Sequence, residues 1–495
     1  MGKTRTIVVG SGAGGLTLAL LLAKAGRQVT VIESQPEIGG FLRRFTRDGM
    51  RLDTGFHFSG GYTNVMLQIL HVLGLDDAGR AELVPDRIVL RNTGDDLILP
   101  AGGGFKGAEE IMCGYFKKDA PALHALFDTV GTIWRSSPLY DFLDLTPPKL
   151  DISRYDVQSV GEFYKSVGMG SAAGAAAGSF AMCHGSLLSE AAMSFHARVG
   201  YAIFDDLARP VGGGDPLIAA FAREADRLGV ELRTGTTLLP FTEMNADGEC
   251  RSALLSDGSR LDVDQVFFTI HPASACELLP EQARTPSLRR RLRRFRDSIS
   301  FFCSYYVVDE GIPVTPGLVS FFSDTDLDAI LEGANGGYST GYLLGREPDL
   351  DGKMRSTVTA FRTMPVGFPE GAPPTRALRQ ADPRYQEFKA RVTEEIASDL
   401  VEVYPEFRGH LRTVAAGSPL TCRDYDPPTG SAYGVRNVCD QTRLFGRLPV
   451  RNFYIAGQSA LVPGVMGTMH TSFVVFRQAV GEEAYCRIFR ASGVC

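Results

Sequence analysis

The sequence predicts an α/β protein that is built on a parallel sheet, with a second, α+β domain inserted into it. Three segments predict this class. An apolar strand, a glycine turn and an Ala/Leu helix open the chain, a second glycine turn, helix and strand span 209–238, and a strand, glycine loop and helix span 451–476. Strands that alternate with helices of this length are typical of parallel sheets.

The first glycine turn follows the strand Ile7 to Val9 in the pattern G-x-G-x-x-G. Its residues are Gly10, Gly12, Ala13, Gly14 and Gly15. Glycines at these places permit a tight turn, let the backbone approach a pyrophosphate and let the helix pack on the sheet. Glu33 ends the next strand, where its carboxylate can accept hydrogen bonds from a ribose. The pattern predicts a Rossmann-type dinucleotide-binding domain.

Composition excludes several other classes of protein. The net charge of −6 gives a nucleic-acid partner no electrostatic support. The nine cysteines include no C-x-x-C pair and no zinc-like spacing, so we expect neither a disulfide framework nor a metal. The 495 residues suit two or three domains. We expect a cytoplasmic protein.

A glycine pair, Gly39–Gly40, follows the second strand where a loop returns to the nucleotide. Backbone at this pair can approach the pyrophosphate, and Arg43 can supply a guanidinium for a phosphate oxygen. We therefore expect this loop to complete the phosphate site.

These motifs and the segment L-D-T-G-F-H-F-S-G-G, Leu52–Gly61, resemble the N-terminus of the phytoene desaturase, carotenoid isomerase and retinol saturase superfamily of flavoproteins. The D-T-G-x-H part, Asp53 to His57, resembles most closely the saturase and isomerase branch. The resemblance is strong over 5–61, 209–272 and 424–476. It implies an FAD-binding fold of the glutathione-reductase and amine-oxidase type.

The resemblance implies further FAD contacts in the two later segments. Leu238 would meet the adenine side of FAD through its backbone. The closing segment would place a helix start under the flavin ring, where it stabilises negative charge on the reduced flavin. Its implied contacts are Gly457, Gln458, Gly464, Val465 and Gly467. Many relatives carry an aspartate where this chain has Gln458 or Ser459.

The same motifs divide the chain into two interleaved domains. We assign 1–80, 209–298 and 424–495 to the FAD-binding domain and 81–208 and 299–423 to the substrate domain.

Within the substrate domain, the uncharged Gly/Ala/Ser stretch 166–189 predicts a tightly packed helix beside an apolar ligand, or plain core. The aromatic strand 299–308 predicts either the wall of an apolar tunnel or core. Residues 345–385, rich in Pro, Gly and charge, predict surface loops.

Seven arginines lie between Arg284 and Arg296, with Leu288, Leu292 and Phe295 on one helical stripe. Such a helix can lie on an anionic membrane surface, or it can be a solvated helix whose stripe packs on the core. The first alternative predicts peripheral contact with the inner face of the membrane.

The resemblance implies an FAD-dependent oxidoreductase that acts on C–C or C=C bonds of a long apolar polyene lipid, such as a carotenoid or retinoid. Desaturation, saturation and isomerisation stay open, as does the oligomeric state. Only one G-x-G-x-x-G follows a strand, so we expect a diffusible electron acceptor or donor and no second nucleotide domain.

The candidates for an acid or base are His57, Tyr433 and Asp424, because the resemblance brings their segments near the flavin. One alternative function is a flavin amine oxidase, which shares the N-terminal motifs. The other is a non-catalytic prenyl-binding protein of the GDP-dissociation-inhibitor type.

Overall fold

The structure is a computed structural model, and it describes residues 3–137, 153–439, 441 and 443–493. The strands, in chain order, are β1 Arg5–Val9, β2 Gln28–Ile32, β3 Arg44–Arg47, β4 Met50–Asp53, β5 Ala81–Leu83, β6 Asp86–Leu90, β7 Asp95–Leu99, β8 Ala208–Pro210, β9 Glu231–Arg233, β10 Ser252–Leu254, β11 Arg260–Asp262, β12 Gln265–Phe268, β13 Ser300–Val308, β14 Gly317–Phe322, β15 Ser339–Pro348, β16 Met354–Met364, β17 Leu411–Gly417, β18 Gly446–Arg447 and β19 Phe453–Ile455. The α-helices are α1 Ala13–Lys24, α2 Leu67–Leu73, α3 Gly104–Tyr115, α4 Ala120–Arg135, α5 Val160–Val167, α6 Ser171–Ala177, α7 Met193–Asp205, α8 Asp215–Arg227, α9 Pro272–Glu277, α10 Pro286–Arg293, α11 Leu327–Glu332, α12 Arg376–Ala381, α13 Pro383–Val403, α14 Pro419–Tyr425, α15 Gly464–Val480 and α16 Glu482–Ala491.

The first sheet has the strand order β18-β19-β12-β1-β2-β9. Its pairs are parallel except at the short edge strand β18. The central strands are runs of β-branched and aromatic residues that are buried on both faces, as parallel sheets require. The carboxyl ends of β1, β12 and β19 therefore meet at one edge of the sheet, which is where ligands bind in folds of this class.

The second sheet has the order β17-β13-β16-β15-β14-β6-β7. It is antiparallel except where β14 pairs with β6 in parallel. One face is fully buried, with Phe302, Tyr306 and Tyr342 packed among residues of α13. All seven strands come from the segments assigned to the substrate domain, and the division at those boundaries stays a prediction.

The expectation that residues 345–385 form surface loops is wrong. They contain the end of β15, the whole of β16 and helix α12. The centre of β16, around Val358 and Ala360, is buried between two antiparallel partners. The ends of β16 are exposed and charged, and its flanks are rich in Pro and Gly, so the local sequence does not indicate a strand. The strand is stabilised by pairing with its two neighbours.

The uncharged stretch 166–189 does not form one helix. It contains the end of α5, then α6, and then a 3₁₀ turn over Ser179–Cys183. The residues of α6 are nevertheless almost all buried, so the prediction of tight packing is confirmed.

Helix α10 has its apolar stripe turned inward. Leu288 is buried, and Leu292 and Phe295 pack against the core that surrounds β12. This stripe is therefore covered by the protein's own core. Among the described residues, no helix has the length and apolar character needed to cross a bilayer.

Candidate active site

The glycine turn after β1 is packed so closely that two of its glycines are required by the fold. A Cβ on Gly15 would lie 2.0 Å from the carbonyl oxygen of Gly10. A Cβ on Gly10, whose φ is +99°, would lie 2.8 Å from Oγ1 of Thr269 at the end of β12. These contacts hold β1, α1 and β12 together at the sheet edge.

Gly12 is the exception in this turn, because a Cβ placed on it would meet no atom within 4 Å. Gly12 is the N-cap of α1, in an extended conformation that any residue can adopt. The N–H groups of the first helical turn, at Ala13 and Gly14, have no intrahelical acceptor and point past Gly12. The space beside Gly12 is therefore a cradle for an anion rather than a consequence of packing.

Glu33 lies beside this cradle at the end of β2. Oε2 accepts hydrogen bonds from the N–H and the hydroxyl of Ser11 at 2.9 and 2.7 Å, and Oε1 accepts one from the N–H of Gln35 at 2.8 Å. Oε1 also accepts a hydrogen bond from the Ser34 hydroxyl at 3.3 Å, so the orientation of the carboxylate is fixed, and rotation of the two serine hydroxyls would free lone pairs for a ligand. The arrangement fits the ribose contact predicted for Glu33.

The second glycine pair lies directly on the first turn. Gly39 donates its N–H to the carbonyl of Ser11 at 2.9 Å, and a Cβ on Gly40 would lie 3.0 Å from the Cα of Gly12. Both glycines have positive φ. The guanidinium of Arg43 lies 5.5 Å over the ring of Tyr425, while its Nε donates to the carbonyl of Gly40 at 3.3 Å. Arg43 therefore reaches the rim of the cradle.

Leu238 follows the turn after β9. Its side chain is buried in the core with Ile7 and Ile32, and its backbone pairs with Leu255. Two residues earlier, Thr236 donates its N–H to the carbonyl of Glu33 at 3.0 Å. The segment that carries Leu238 is thus held beside the predicted ribose contact.

The closing segment returns to the same sheet edge. A Cβ on Gly457 would lie 2.9 Å from the carbonyl oxygen of Thr269. A Cβ on Gly467 would lie 2.8 Å from the carbonyl oxygen of Val462, whereas one on Gly464 would meet nothing within 4 Å. Gly464, with φ of +78°, and Val465 begin α15, so the N-terminus of this helix faces open space as that of α1 does.

The first turn of α1 contacts the second and third turns of α15. A Cβ on Gly14 would lie 2.7 Å from Oγ1 of Thr468, and the Ser472 hydroxyl donates to the carbonyl of Gly14 at 2.8 Å. Two positive helix ends are therefore brought to one place, which favours an extended, anionic ligand between them.

A pocket between the two helix ends is lined by Thr269, Ile270, His271, Asp426, Gln458 and Ser459. The amide of Gln458 donates to Oδ2 of Asp426 at 3.5 Å. Burial, with smaller contributions from the charges of Asp297 and Glu33, raises the pKa of Asp426 to about 6 against the opposing effect of His271. Asp426, which comes from another segment of the chain, thus places a carboxyl beside Gln458 in this pocket.

These features fit FAD. The two glycines that packing does not require, Gly12 and Gly464, border open space at two helix N-termini. A polar pocket lies between them, and the Glu33 carboxylate lies at the far end. FAD offers a pyrophosphate to the first helix end and a flavin ring to the second.

Four buried charged side chains join the hairpin β3–β4 and strand β8 to strand β15 of the second sheet. Arg44 contacts Asp53 at 2.8 Å and Glu347 at 2.9 Å, and Arg209 contacts Asp53 at 3.2 Å and also Glu347. We call these residues the ion-pair cluster. It fixes the segment that leads to His57, whose carbonyl accepts a hydrogen bond from Arg209 at 3.4 Å.

His57 projects from this segment onto the second sheet. Its ring stacks on Phe361 of β16, with 5.1 Å between the centroids and an interplanar angle of 0°. Phe361 meets Phe301 edge-on at 5.9 Å, and Phe301 meets Tyr433 edge-on at 6.1 Å. The structure thus brings two of the three predicted acid or base candidates, His57 and Tyr433, to one aromatic surface.

We infer that this surface lines an internal space over the second sheet, and we call that space the chamber. Its walls include Phe301, Cys303, Phe361 and Tyr433, and all four keep accessible surface. Burial nevertheless raises the pKa of Tyr433 and that of Cys303 far above their usual values. Side chains that are both deep in the protein and accessible face a cavity.

Asp424 lies elsewhere. Its carboxylate pairs with the buried guanidinium of Arg379 beneath α14, and Asp426, two residues later, reaches the pocket instead. Sequence reasoning missed Asp426, Thr269 and the ion-pair cluster. The sequence D-Y-D, Asp424–Asp426, offered Asp426 as a second carboxylate. The position of Thr269 could be predicted only with the pairing of β12 and β1 known.

Comparisons with known proteins agree with this geometry. A family model described as flavin containing amine oxidoreductase matches residues 13–468. Human all-trans-retinol 13,14-reductase is 23% identical over 94% of this chain and 84% of its own length. A phytoene desaturase of Fusarium fujikuroi is 24% identical over 61% of this chain and 55% of its own. The solved structure of an oxidoreductase from Methanosarcina mazei matches with a TM-score of 0.62 at 17% identity, covering 96% of this chain and 100% of the other.

These matches confirm the Rossmann-type α/β class, the resemblance to the phytoene desaturase and retinol saturase superfamily, and FAD as the cofactor. The roles of the individual site residues stay predictions. The chain belongs to the flavin-containing amine oxidoreductase family, and it is an FAD-dependent oxidoreductase.

Proposed function

We propose that this protein acts on carbon–carbon bonds of a long, apolar polyene lipid, by saturation, desaturation or isomerisation. The observation that carries the proposal is the aromatic surface of His57, Phe361, Phe301 and Tyr433, which we infer to line the chamber. Its walls are aromatic and apolar, so a hydrocarbon chain that enters it leaves water at a gain of about 25 cal/mol per Å² of buried surface.

The ionisable groups on the aromatic surface are neutral at physiological pH, which supports an apolar ligand. Burial, aided by the charge of Arg209, lowers the pKa of His57 to about 3. Burial keeps the phenol of Tyr433 and the thiol of Cys303 protonated by raising the pKa of each. A cationic amine that lies beside His57, Cys303 and Tyr433 would have to give up its hydration with no charged partner among these three side chains.

FAD, when bound, supplies the chemistry by accepting or giving a hydride. The chain's own residues align the substrate and exclude water. A saturation also needs a proton for the second carbon, and Tyr433 is our candidate donor, because its hydroxyl keeps its proton and the described residues give that hydroxyl no hydrogen-bond partner. His57 is neutral and positions the chain by stacking through Phe361.

The printed names of two relatives, a retinol 13,14-reductase and a phytoene desaturase, support a polyene substrate. An amine oxidase is the alternative that the family name suggests. The non-catalytic, prenyl-binding alternative has no need of a bound flavin, so the assignment to a flavin-containing family argues against it.

The proposed electron partner is a diffusible donor or acceptor, and we propose that the protein is cytoplasmic and meets its lipid at a membrane surface. The support for membrane contact is the exposed arginine side of α10, including Arg290, Arg293 and Arg294, which suits anionic headgroups. Sedimentation with anionic vesicles, compared with zwitterionic ones, tests it.

The proposed reaction is tested under anaerobic conditions. The holoenzyme is reduced by light and mixed with all-trans polyenes, and the oxidised holoenzyme is mixed separately with polyenes and with aliphatic amines. We expect polyenes to change the redox state of the flavin in one of the two mixtures, and amines to change neither. Rapid reduction by amines with no response to any polyene would establish the amine oxidase alternative.

A further inference from the structure

The two faces of the second sheet differ in what covers them. One row across five strands is formed by residues paired in register: Cys303, Phe361, Gly341, Ser320 and Ile88. Register partners point to the same face, so this row runs from the aromatic surface near His57 to strand β6. Its middle members keep accessible surface, although they lie on interior strands.

At the β6 end of this row stands a carboxyl group, that of Asp86. Asp86 is the register partner of Leu318 and is 7% exposed. The Ser320 hydroxyl donates to its Oδ1 at 2.9 Å. In the described part of the chain, no donor reaches the other oxygen, Oδ2.

The surroundings of Asp86 are apolar on this face. Leu318 packs in a small cluster with Val84 and Leu207, against Phe58 and Phe361. Burial raises the pKa of Asp86 to about 7, against the opposing effect of the Ser320 hydrogen bond. A carboxyl with one unpaired oxygen is costly in such a place unless a ligand pairs with it.

The Cys183 thiol connects this carboxyl to the chamber. Burial, and the nearby charge of Asp86, raise the pKa of Cys183 to about 12. The same thiol is close enough to Tyr433 to raise that pKa as well. Cys183 is thus near both Asp86 and Tyr433, and Leu318, the register partner of Asp86, packs against Phe361 of the aromatic surface.

We propose that Asp86, oriented by Ser320, binds the terminal hydroxyl group of the polyene, so that the substrate is a polyene alcohol rather than a pure hydrocarbon or a carboxylate. This inference rests on the proposed function. A hydroxyl both donates and accepts, so it pairs with the carboxyl in either protonation state. A hydrocarbon leaves Oδ2 unpaired, and a ligand carboxylate meets a like charge.

Equilibrium binding to the oxidised holoenzyme tests the inference without turnover. The probes are a retinoid alcohol and the matching hydrocarbon, in which a methyl group replaces the hydroxymethyl group, and polyene fluorescence reports binding. We expect the wild-type protein to bind the alcohol about tenfold more tightly, the usual value of one hydrogen bond to a buried group.

The Asp86→Leu variant should lose this preference and bind the two probes alike, while Asp96→Asn, on the solvent-exposed strand β7 of the same hairpin, should keep it. Should Asp86→Leu fail to retain flavin, Ser320→Ala replaces it, with an expected threefold loss of preference, about half of the effect in free energy.

Equal binding of both probes by the wild-type protein, or a preference that survives in the variant, overturns the inference. Absence of binding by either probe overturns the proposed function itself and this inference with it. Tight binding of both probes together with oxidation or reduction of the flavin by the hydrocarbon overturns the inference and leaves the proposed function supported.

Discussion

The cofactor edge and the chamber are both built from distant segments of the chain, but they use different parts of the residue. At the cofactor edge the backbone does the binding, so glycines such as Gly12 and Gly464 mark open space. In the chamber side chains form the walls, and strand register decides which of them face inward. The cofactor edge can therefore be recognised from a glycine pattern in the sequence, whereas the chamber has no such pattern.

The largest expected effect distinguishes a glycine that leaves space for the ligand from a glycine that the packing of the cofactor edge requires. Gly12→Val should fold but retain no FAD, because its side chain enters space that packing leaves open. Gly15→Val should not fold, because its Cβ would lie 2.0 Å from a carbonyl oxygen. Flavin absorbance per mole of purified protein is the measurement, and Gly107→Val, at another open position, should keep full flavin. Normal flavin content in Gly12→Val would falsify the claim that the space beside Gly12 holds the pyrophosphate of FAD.

The second prediction concerns the ion-pair cluster, which ties the two regions together. Arg209→Met leaves Asp53 and Glu347 to share Arg44, so the free energy of unfolding should fall by about 3–5 kcal/mol. Arg51→Met removes an exposed pair with Asp215 and should cost less than about 1 kcal/mol. Denaturant unfolding of both variants measures the two free energies of unfolding. Equal losses in the two variants would show that the ion-pair cluster does not stabilise the contact between these segments.

The third prediction disturbs the chamber alone. A Cβ on Gly341 would lie 2.1 Å from the ring of Phe361, so Gly341→Ala pushes that ring against His57. We expect polyene binding to weaken by about 1–3 kcal/mol, the usual cost of overpacking, with an unchanged flavin spectrum. Gly345→Ala, on the same strand, meets only Nε of Arg209 at 3.9 Å and should bind polyene normally. A loss of flavin in Gly341→Ala would show that the two regions are not separable.

The smallest effect depends on pH. Burial raises the pKa of Asp426 to about 6 in the folded protein, so the folded state holds this proton more tightly than the unfolded state. Stability is therefore lost as the pH rises from about 4 through 6, and Asp426→Asn should be more stable than wild type by about 1–2 kcal/mol at pH 8. At pH 4 the two apoproteins should unfold alike. Equal stability at both pH values would contradict the shift.

At the cofactor edge, the sequence alone predicted the first glycine turn and Glu33, since Gly10, Gly15 and Glu33 each stand at a spacing that one backbone geometry requires. Gly457 was implied only by the family resemblance, and a Cβ on it would lie 2.9 Å from the carbonyl oxygen of Thr269. Asp426 was missed because the sequence offers two carboxylates, and only the end of α14 decides which one turns toward the pocket.

The chamber could be predicted only as an apolar aromatic region. Residues 354–364, which form β16, were predicted to be a loop. Phe361, which lies on this strand, could therefore not be placed opposite Cys303 and Gly341. Asp86 reads as an ordinary strand residue until its register with β14 sets it beside Ser320. Side chains on a sheet acquire neighbours through pairing, which local patterns do not encode.

The central claim is that hydrogen moves between the bound flavin and a polyene held in the chamber. The most direct measurement is chromatography, which separates isomers, coupled to mass spectrometry of the lipid recovered from an anaerobic single turnover, with reduced and oxidised holoenzyme in parallel. We predict a lipid that has gained or lost two hydrogen atoms, or an isomer of unchanged mass, in wild type, and a smaller yield in Gly341→Ala. Recovery of the unaltered polyene from both enzyme forms would contradict the account.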